Sequence, residues 1–276
     1  MQLAELTVRG FADLLGSDAP APGGGSAAAL AGTLGAALTA MVGSLTVGRK
    51  KYAEFDGLAR ETLEKARDLE HRFLDVMQRD TEAFNAVSAV FAMPKGTDEE
   101  KAARSQAMQQ ALQGCTRTPF EMMELACQAL ELTRSVVGKL NASAASDLGC
   151  AALSLKAAIQ GAWLNVLINI GGIQDQAFAD EYRQKGQALL DKALPLADAI
   201  YQILRPSFQV AYIREGGKVS GCAESPDFLL LECDRIHTGN GAHSIILCKS
   251  RFAIPFDRCA VSEDGAVGVL QTENRN

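Results

Sequence analysis

The sequence contains no CxxC pair, no excess of positive charge and no apolar N-terminal leader. Each absence narrows what the chain can be. Seven cysteines, an odd number without paired spacing, argue against a disulfide framework and fit free thiols in a reducing, cytoplasmic setting. A formal net charge of −6 argues against a nucleic-acid surface, which needs a basic excess. The start, "MQLAELTVRGFADLL", carries acids early and lacks an apolar core ending in a small-residue cleavage site, so no secretion signal is expected. What remains is ordinary globular composition, 47% hydrophobic and 22% charged, on 276 residues, enough to bury a proper core.

Composition changes near Pro206. Residues 1–206 hold Cys115, Cys127, Cys150 and His71, whereas the last 70 hold Cys222, Cys233, Cys248, Cys259, His237 and His243. Two regions are therefore expected, 1–206 and 207–276. The second has β-prone runs, "DFLLLEC" and "HSIILCKSRFAI", between glycine-rich breaks. Ten or more residues separate its successive cysteines, which is not finger spacing, so no metal is expected.

The first region has almost no strand pattern. A short amphipathic helix is predicted near residues 5–16, an uncharged helix from Ser26 to Gly48, and a long one over about 54–92. Thr97 and Glu100 form a capping box for the next helix. Thr118 followed by Pro119 predicts a further helix start. Helices over about 147–170 and 174–204 complete six or seven, an all-α antiparallel bundle with a short irregular or β-prone tail.

The uncharged segment Ser26–Gly48 is long enough to cross a bilayer. Its small residues recur every fourth position (Ala28, Gly32, Ala36, Ala40, Ser44, Gly48), beside a stripe of Leu30, Leu34, Leu38, Met41 and Leu45. Small side chains at this spacing let another helix backbone approach. With a triple glycine at its entrance and no other span apparent, it is expected inside a soluble bundle. Gly23, Gly24 and Gly25 precede Ser26 at a helix N-terminus, where free N–H groups favour an anion or a polarised oxygen. A tight loop needing positive φ explains the same glycines.

Asp80 gives a sharper signal. Phe73, Val76, Met77, Phe84, Val87 and Phe91 trace the apolar face of the long helix, and Asp80 lies in the middle of it. A carboxylate there is either paired or functional. Ser146 and Asp147 sit at a predicted helix start, suited to capping or to ligand binding. Asn165 and Asn169 lie one turn apart in "WLNVLINI", suited to helix–helix bonding or substrate contact. Arg49, Lys50 and Lys51 complement a helix C-terminus or an anionic substrate.

In order, "APAPGGGS", "GRKKY", "DTEAF" (Asp80–Phe84), "MPKGTDEEK", "SDLG" and "NVLIN" resemble the cyclodeaminase/cyclohydrolase family of tetrahydrofolate enzymes, over about residues 1–206. The resemblance implies an all-helical, dimeric enzyme that acts on folate one-carbon units without metal or other cofactor. It implies Asp80 as the catalytic carboxylate. Gly23, Gly24, Gly25 and Ser26 would line the folate site, with Asn165 nearby. Asp147 would bind the donor-rich edge of the pterin, and Arg49 or Lys51 the glutamate tail. The expected reaction is cyclodeamination of 5-formimino-tetrahydrofolate to 5,10-methenyl-tetrahydrofolate with release of ammonia, beside a possible glutamate formiminotransferase partner. The alternatives are hydrolysis of the methenyl compound to 10-formyl-tetrahydrofolate, or a silent folate-binding dimer. Neither nucleic acid nor a membrane is expected as partner. The tail has no counterpart in the resemblance.

Overall fold

A computed structural model describes residues 2–205 and four short strands beyond them. The chain divides into two compact units, 1–208 and 209–276. In the first, six α-helices follow in order: α1 (Val8–Leu15), α2 (Gly24–Thr46), α3 (Asp56–Phe91), α4 (Asp98–Val136), α5 (Ala145–Ile170) and α6 (Gln176–Leu204). The fold is all-α. In the second unit β1 (Cys233–His237) pairs antiparallel with β2 (Ser244–Cys248), and β3 (Cys259–Val261) with β4 (Val267–Val269). The run "HSIILC" thus contains a strand; of "DFLLLEC", only Cys233 falls within the described residues.

Successive long helices run antiparallel, and the small residues of α2 set the spacing. A Cβ on Gly32 would meet the ring of Phe73 at 2.6 Å, and one on Gly43 would meet the Ala59 carbonyl at 3.0 Å. On the α5 side, a Cβ on Gly35 would reach Leu155 at 2.5 Å. The register on α3 therefore descends (73, then 59) as α2 ascends. Glycine here permits backbone approach, and Phe73, fully buried, fills the notch that Gly32 leaves. Truncating such a ring costs about 3–5 kcal/mol.

Capping follows the sequence closely at α4. Thr97 accepts from the Glu100 N–H while Glu100 reaches back to the Thr97 N–H. At the end of α2, Gly48 takes a left-handed φ of 71°, as a helix stop requires, and its N–H donates to Asp56 at 2.6 Å.

Three expectations are corrected. Thr118–Pro119 starts no helix, because α4 runs unbroken from Asp98 to Val136 with Pro119 inside it. α5 begins at Ala145, so Ser146 and Asp147 lie in its first turn and neither caps it. α2 is not the sole apolar span: the helical stretch Ala142–Ile170 is also long and apolar enough to cross a membrane by length and composition. Both segments pack within the bundle, on each other and on neighbouring helices.

Candidate active site

Asp80 projects from α3 onto the N-terminus of α2. Ser26, wholly buried, donates its hydroxyl to Asp80 Oδ2 at 2.9 Å. Ser26 Oγ also lies 3.3 Å from Thr81 Oγ1. The N-cap of α2 is Gly23, which has no side chain to cap with, so the Asp80 carboxylate occupies the place of a tertiary cap. Burial raises the Asp80 pKa from its ordinary value, and the Ser26 hydroxyl and backbone N–H pull back against that shift. Such a carboxyl exchanges protons nearer neutrality than a solvated one.

Gly25 is explained by contact, and none of the three glycines by backbone strain. Gly48 and Gly138 are the positive-φ glycines among the described residues, so Gly23, Gly24 and Gly25 need no left-handed conformation. A Cβ on Gly25 would fall 2.6 Å from Asp80 Oδ2 and 2.7 Å from its carboxylate carbon. A Cβ on Gly24 would meet Asn165 Nδ2 at an ordinary 3.7 Å, and one on Gly23 would meet nothing. Gly25 is thus the position where a side chain and Asp80 exclude each other. Gly23 and Gly24 are exposed and form the open lip of the site.

Pro119, inside α4, alters the backbone bonding of that helix. It has no N–H, so the Cys115 carbonyl four residues earlier loses its helical donor. Asn169 of α5 supplies the replacement, its Nδ2 donating to that carbonyl at 2.7 Å. This assigns the helix–helix role to Asn169. Asn165, one turn back, bonds to the Gly161 carbonyl of its own helix at 2.8 Å and sits beside Gly24. The buried Cys115 thiol is pushed up to about 11 by burial and then by the Asp80 charge, so it is neutral at physiological pH. Beside the site, Arg79 holds Glu121 of α4 through both terminal guanidinium nitrogens, at 2.8 and 2.9 Å.

The sequence-derived site residues separate into two groups. Gly23, Gly24, Gly25, Ser26, Asp80 and Asn165 meet at the N-terminal end of α2. Arg49, Lys51 and Asp147 lie at its other end, about 30 Å along the axis at 1.5 Å per residue. There the Asn141 N–H donates to Thr46 Oγ1 at 3.0 Å, which ties the approach to α5 to the end of α2. Arg49 and Lys51 are exposed, and Lys51 stands 5.0 Å above the Tyr52 ring. A compact ligand pocket of about 1,000 Å³ is only about 10 Å across. One chain does not bring the two groups into one such pocket. Thr81, Cys115 and Pro119 belong to the Asp80 end although the motif pattern did not single them out there. Pro119 sitting four residues after Cys115 was the available signal. Among the described residues no cluster of side chains has the makeup of a metal site.

Residues 7–188 match the family described as formiminotransferase-cyclodeaminase. The chain is 41% identical over 199 residues to the methenyltetrahydrofolate cyclohydrolase of Methylorubrum extorquens, covering 72% of this chain and 96% of that protein. It is 32% identical over 191 residues to the formimidoyltransferase-cyclodeaminase of Rattus norvegicus, covering 69% of this chain but 35% of the relative. The chain therefore spans about a third of the length of that larger protein. The fold matches the crystal structure of formiminotetrahydrofolate cyclodeaminase from Thermotoga maritima with a TM-score of 0.68 at 22% identity, over 75% of this chain and all of the other.

Proposed function

The chain belongs to the formiminotransferase-cyclodeaminase family, and from that premise we propose that it is a methenyltetrahydrofolate cyclohydrolase. The sequence pattern put deamination first. A relative at 41% identity, matched over 96% of its own length, carries the cyclohydrolase name, which supports reversing that order. The observation that carries the proposal is the Asp80 seat: a buried carboxyl with a raised pKa, held by Ser26 and open beside a glycine lip.

The chemistry needs one group that takes and returns a proton. The methenyl carbon bridges N5 and N10 as a cationic amidine and is the electrophile. Water adds to it, forming the C–O bond, and Asp80 takes a water proton as general base. The C–N5 bond of the resulting carbinol breaks with its electron pair on N5, and Asp80 returns its proton there. The carbinol O–H loses its proton to solvent as C=O forms, leaving the formyl group on N10 and one net proton released. A carboxyl with a raised pKa suits both halves. Gly23 and Gly24 leave the approach clear, and Asn165 offers an amide to the ring system. Asp147 takes the donor-rich edge of the pterin, and Arg49 or Lys51 the glutamate tail.

Those last three residues lie at the opposite end of α2, which bears on assembly. α2 and α5 carry apolar stripes on their outer faces. Leu34, Leu164 and Ile168 are 54%, 66% and 75% exposed. A second copy seated on this face buries the stripes and lets its own α2 C-terminal end approach Asp80. The reading is a cytoplasmic homodimer with two shared sites.

The direct test follows purified protein with methenyl- and 5-formimino-tetrahydrofolate offered separately. Loss of methenyl absorbance with 10-formyl product is expected. Appearance of methenyl with ammonia from the formimino compound would favour the second reading, which the family description and the fused relatives support. Turnover of neither substrate would sink both.

A further inference from the structure

Ser26 stands among the residues expected to touch folate, yet it is 0% exposed and its hydroxyl is committed inside the protein. We infer that Ser26 and Thr81 are positioning residues for Asp80: Thr81 orients the Ser26 hydroxyl, which holds Oδ2, so that Oδ1 over Gly25 carries the proton transfer. The inference rests on the role proposed for Asp80.

A hydroxyl has one proton and two lone pairs. The Ser26 proton is spent on Asp80 Oδ2 at 2.9 Å, so toward Thr81, 3.3 Å away, Ser26 Oγ is the acceptor and Thr81 the donor. A helical threonine commonly donates to the carbonyl one turn back, as Thr33, Thr39, Thr46, Thr62 and Thr133 do here. Thr81 makes no such bond and faces Ser26 instead. The chain of donation is therefore directional, from Thr81 to Ser26 to Asp80.

The only other hold on the carboxylate among the described residues is the Ser26 backbone N–H, which no side-chain substitution removes. Among the described residues no other side chain donates to Asp80. From α3, Arg79 is turned to Asp75 and Glu121. From α4, the nearest titratable group is the Cys115 thiol, neutral below about pH 11. From α5, Asn165 is uncharged and bonded within its own helix. Ser26 alone of the side chains opposes the effect of burial, and Thr81 governs which way Ser26 points.

The test is a site-resolved titration. Aspartate carboxyl carbons are labelled with 13C, and the Asp80 signal is assigned by its loss in Asp80→Asn. Its midpoint is then compared in wild type, Ser26→Ala, Thr81→Val and Thr81→Ser. The midpoint should move upward in Ser26→Ala, move upward less in Thr81→Val, and stay in place in Thr81→Ser. The acid limb of kcat/KM for methenyl hydrolysis should move with it, and kcat should fall roughly tenfold in Ser26→Ala, the scale of one hydrogen bond to a charged group. Thermal melts establish that each variant is folded. An Asp80 midpoint indifferent to Ser26→Ala, or equal in Thr81→Val and wild type, overturns the relay. A midpoint that shifts as expected, in a protein whose turnover ignores Asp80, upholds the relay and defeats the functional reading.

Discussion

Two glycine-to-alanine substitutions inside helices separate intrinsic propensity from the geometry of the site. Gly114, in α4, has nothing within 4 Å of an added Cβ, so alanine there should gain about 1 kcal/mol of stability from helix propensity alone. Gly25, in the first turn of α2, receives the same change of residue with a different outcome. Its Cβ would lie 2.6 Å from Asp80 Oδ2, whereas ordinary contacts begin near 3.4 Å. The carboxylate must therefore move by close to 1 Å, or the helices must part. Overpacking of this kind costs about 1–3 kcal/mol, enough to cancel or reverse the propensity gain. A displacement of about 1 Å at a reacting group costs on the order of 100-fold in rate. Urea denaturation should thus place Gly114→Ala above wild type and Gly25→Ala at or below it. Turnover of methenyl-tetrahydrofolate should fall about 100-fold in Gly25→Ala and stay unchanged in Gly114→Ala. If Gly25→Ala is as stable and as active as Gly114→Ala, the seat of Asp80 against Gly25 is wrong.

Other consequences are equally concrete. Asn169→Ala leaves the Cys115 carbonyl without a donor and should cost about 1–3 kcal/mol by chemical denaturation. Pro119→Ala restores the helical N–H, so the double variant should recover most of that loss; additive effects would refute the account of Asn169. Asp80→Asn should not destabilise the fold at neutral pH. Because burial raises the folded pKa of Asp80, its ionised form opposes folding above the unfolded value, and that opposition disappears as pH falls through the folded value. The wild type should accordingly gain on the variant as pH is lowered through that window, and parallel stability curves would contradict the burial argument. Mixing Asp80→Asn chains with Lys51→Ala chains should restore activity lost in each alone, since a mixed dimer with shared sites keeps one intact site. No recovery after subunit exchange would rule out sharing of the site between copies.

Most of the helical layout was legible because it depends on local signals: the apolar period of α3, the Thr97–Glu100 box, and the small-residue stripe of α2. Pro119 misled because a proline at a helix start and one in a helix interior look alike until a partner for the orphaned carbonyl is found. That partner, Asn169, is 54 residues beyond Cys115. The place of Asp80 on an apolar face could be worked out from periodicity, although the lower part of that face is open: Phe84 and Phe91 are exposed. What periodicity could not supply was register between helices. It is this that puts Gly25, Ser26 and Asp80 together and sends Arg49, Lys51 and Asp147 to the other end of α2. The motif order along the chain carried no sign of that separation.

The central claim is that Asp80 moves the proton in methenyl hydrolysis. Wild type and Asp80→Asn, matched for folding by thermal melt, are given methenyl-tetrahydrofolate and followed by its absorbance, with spontaneous hydrolysis subtracted. Wild-type conversion to the 10-formyl compound is expected, with a loss of about 10²–10⁴-fold in the variant. Equal rates for the two proteins would contradict it.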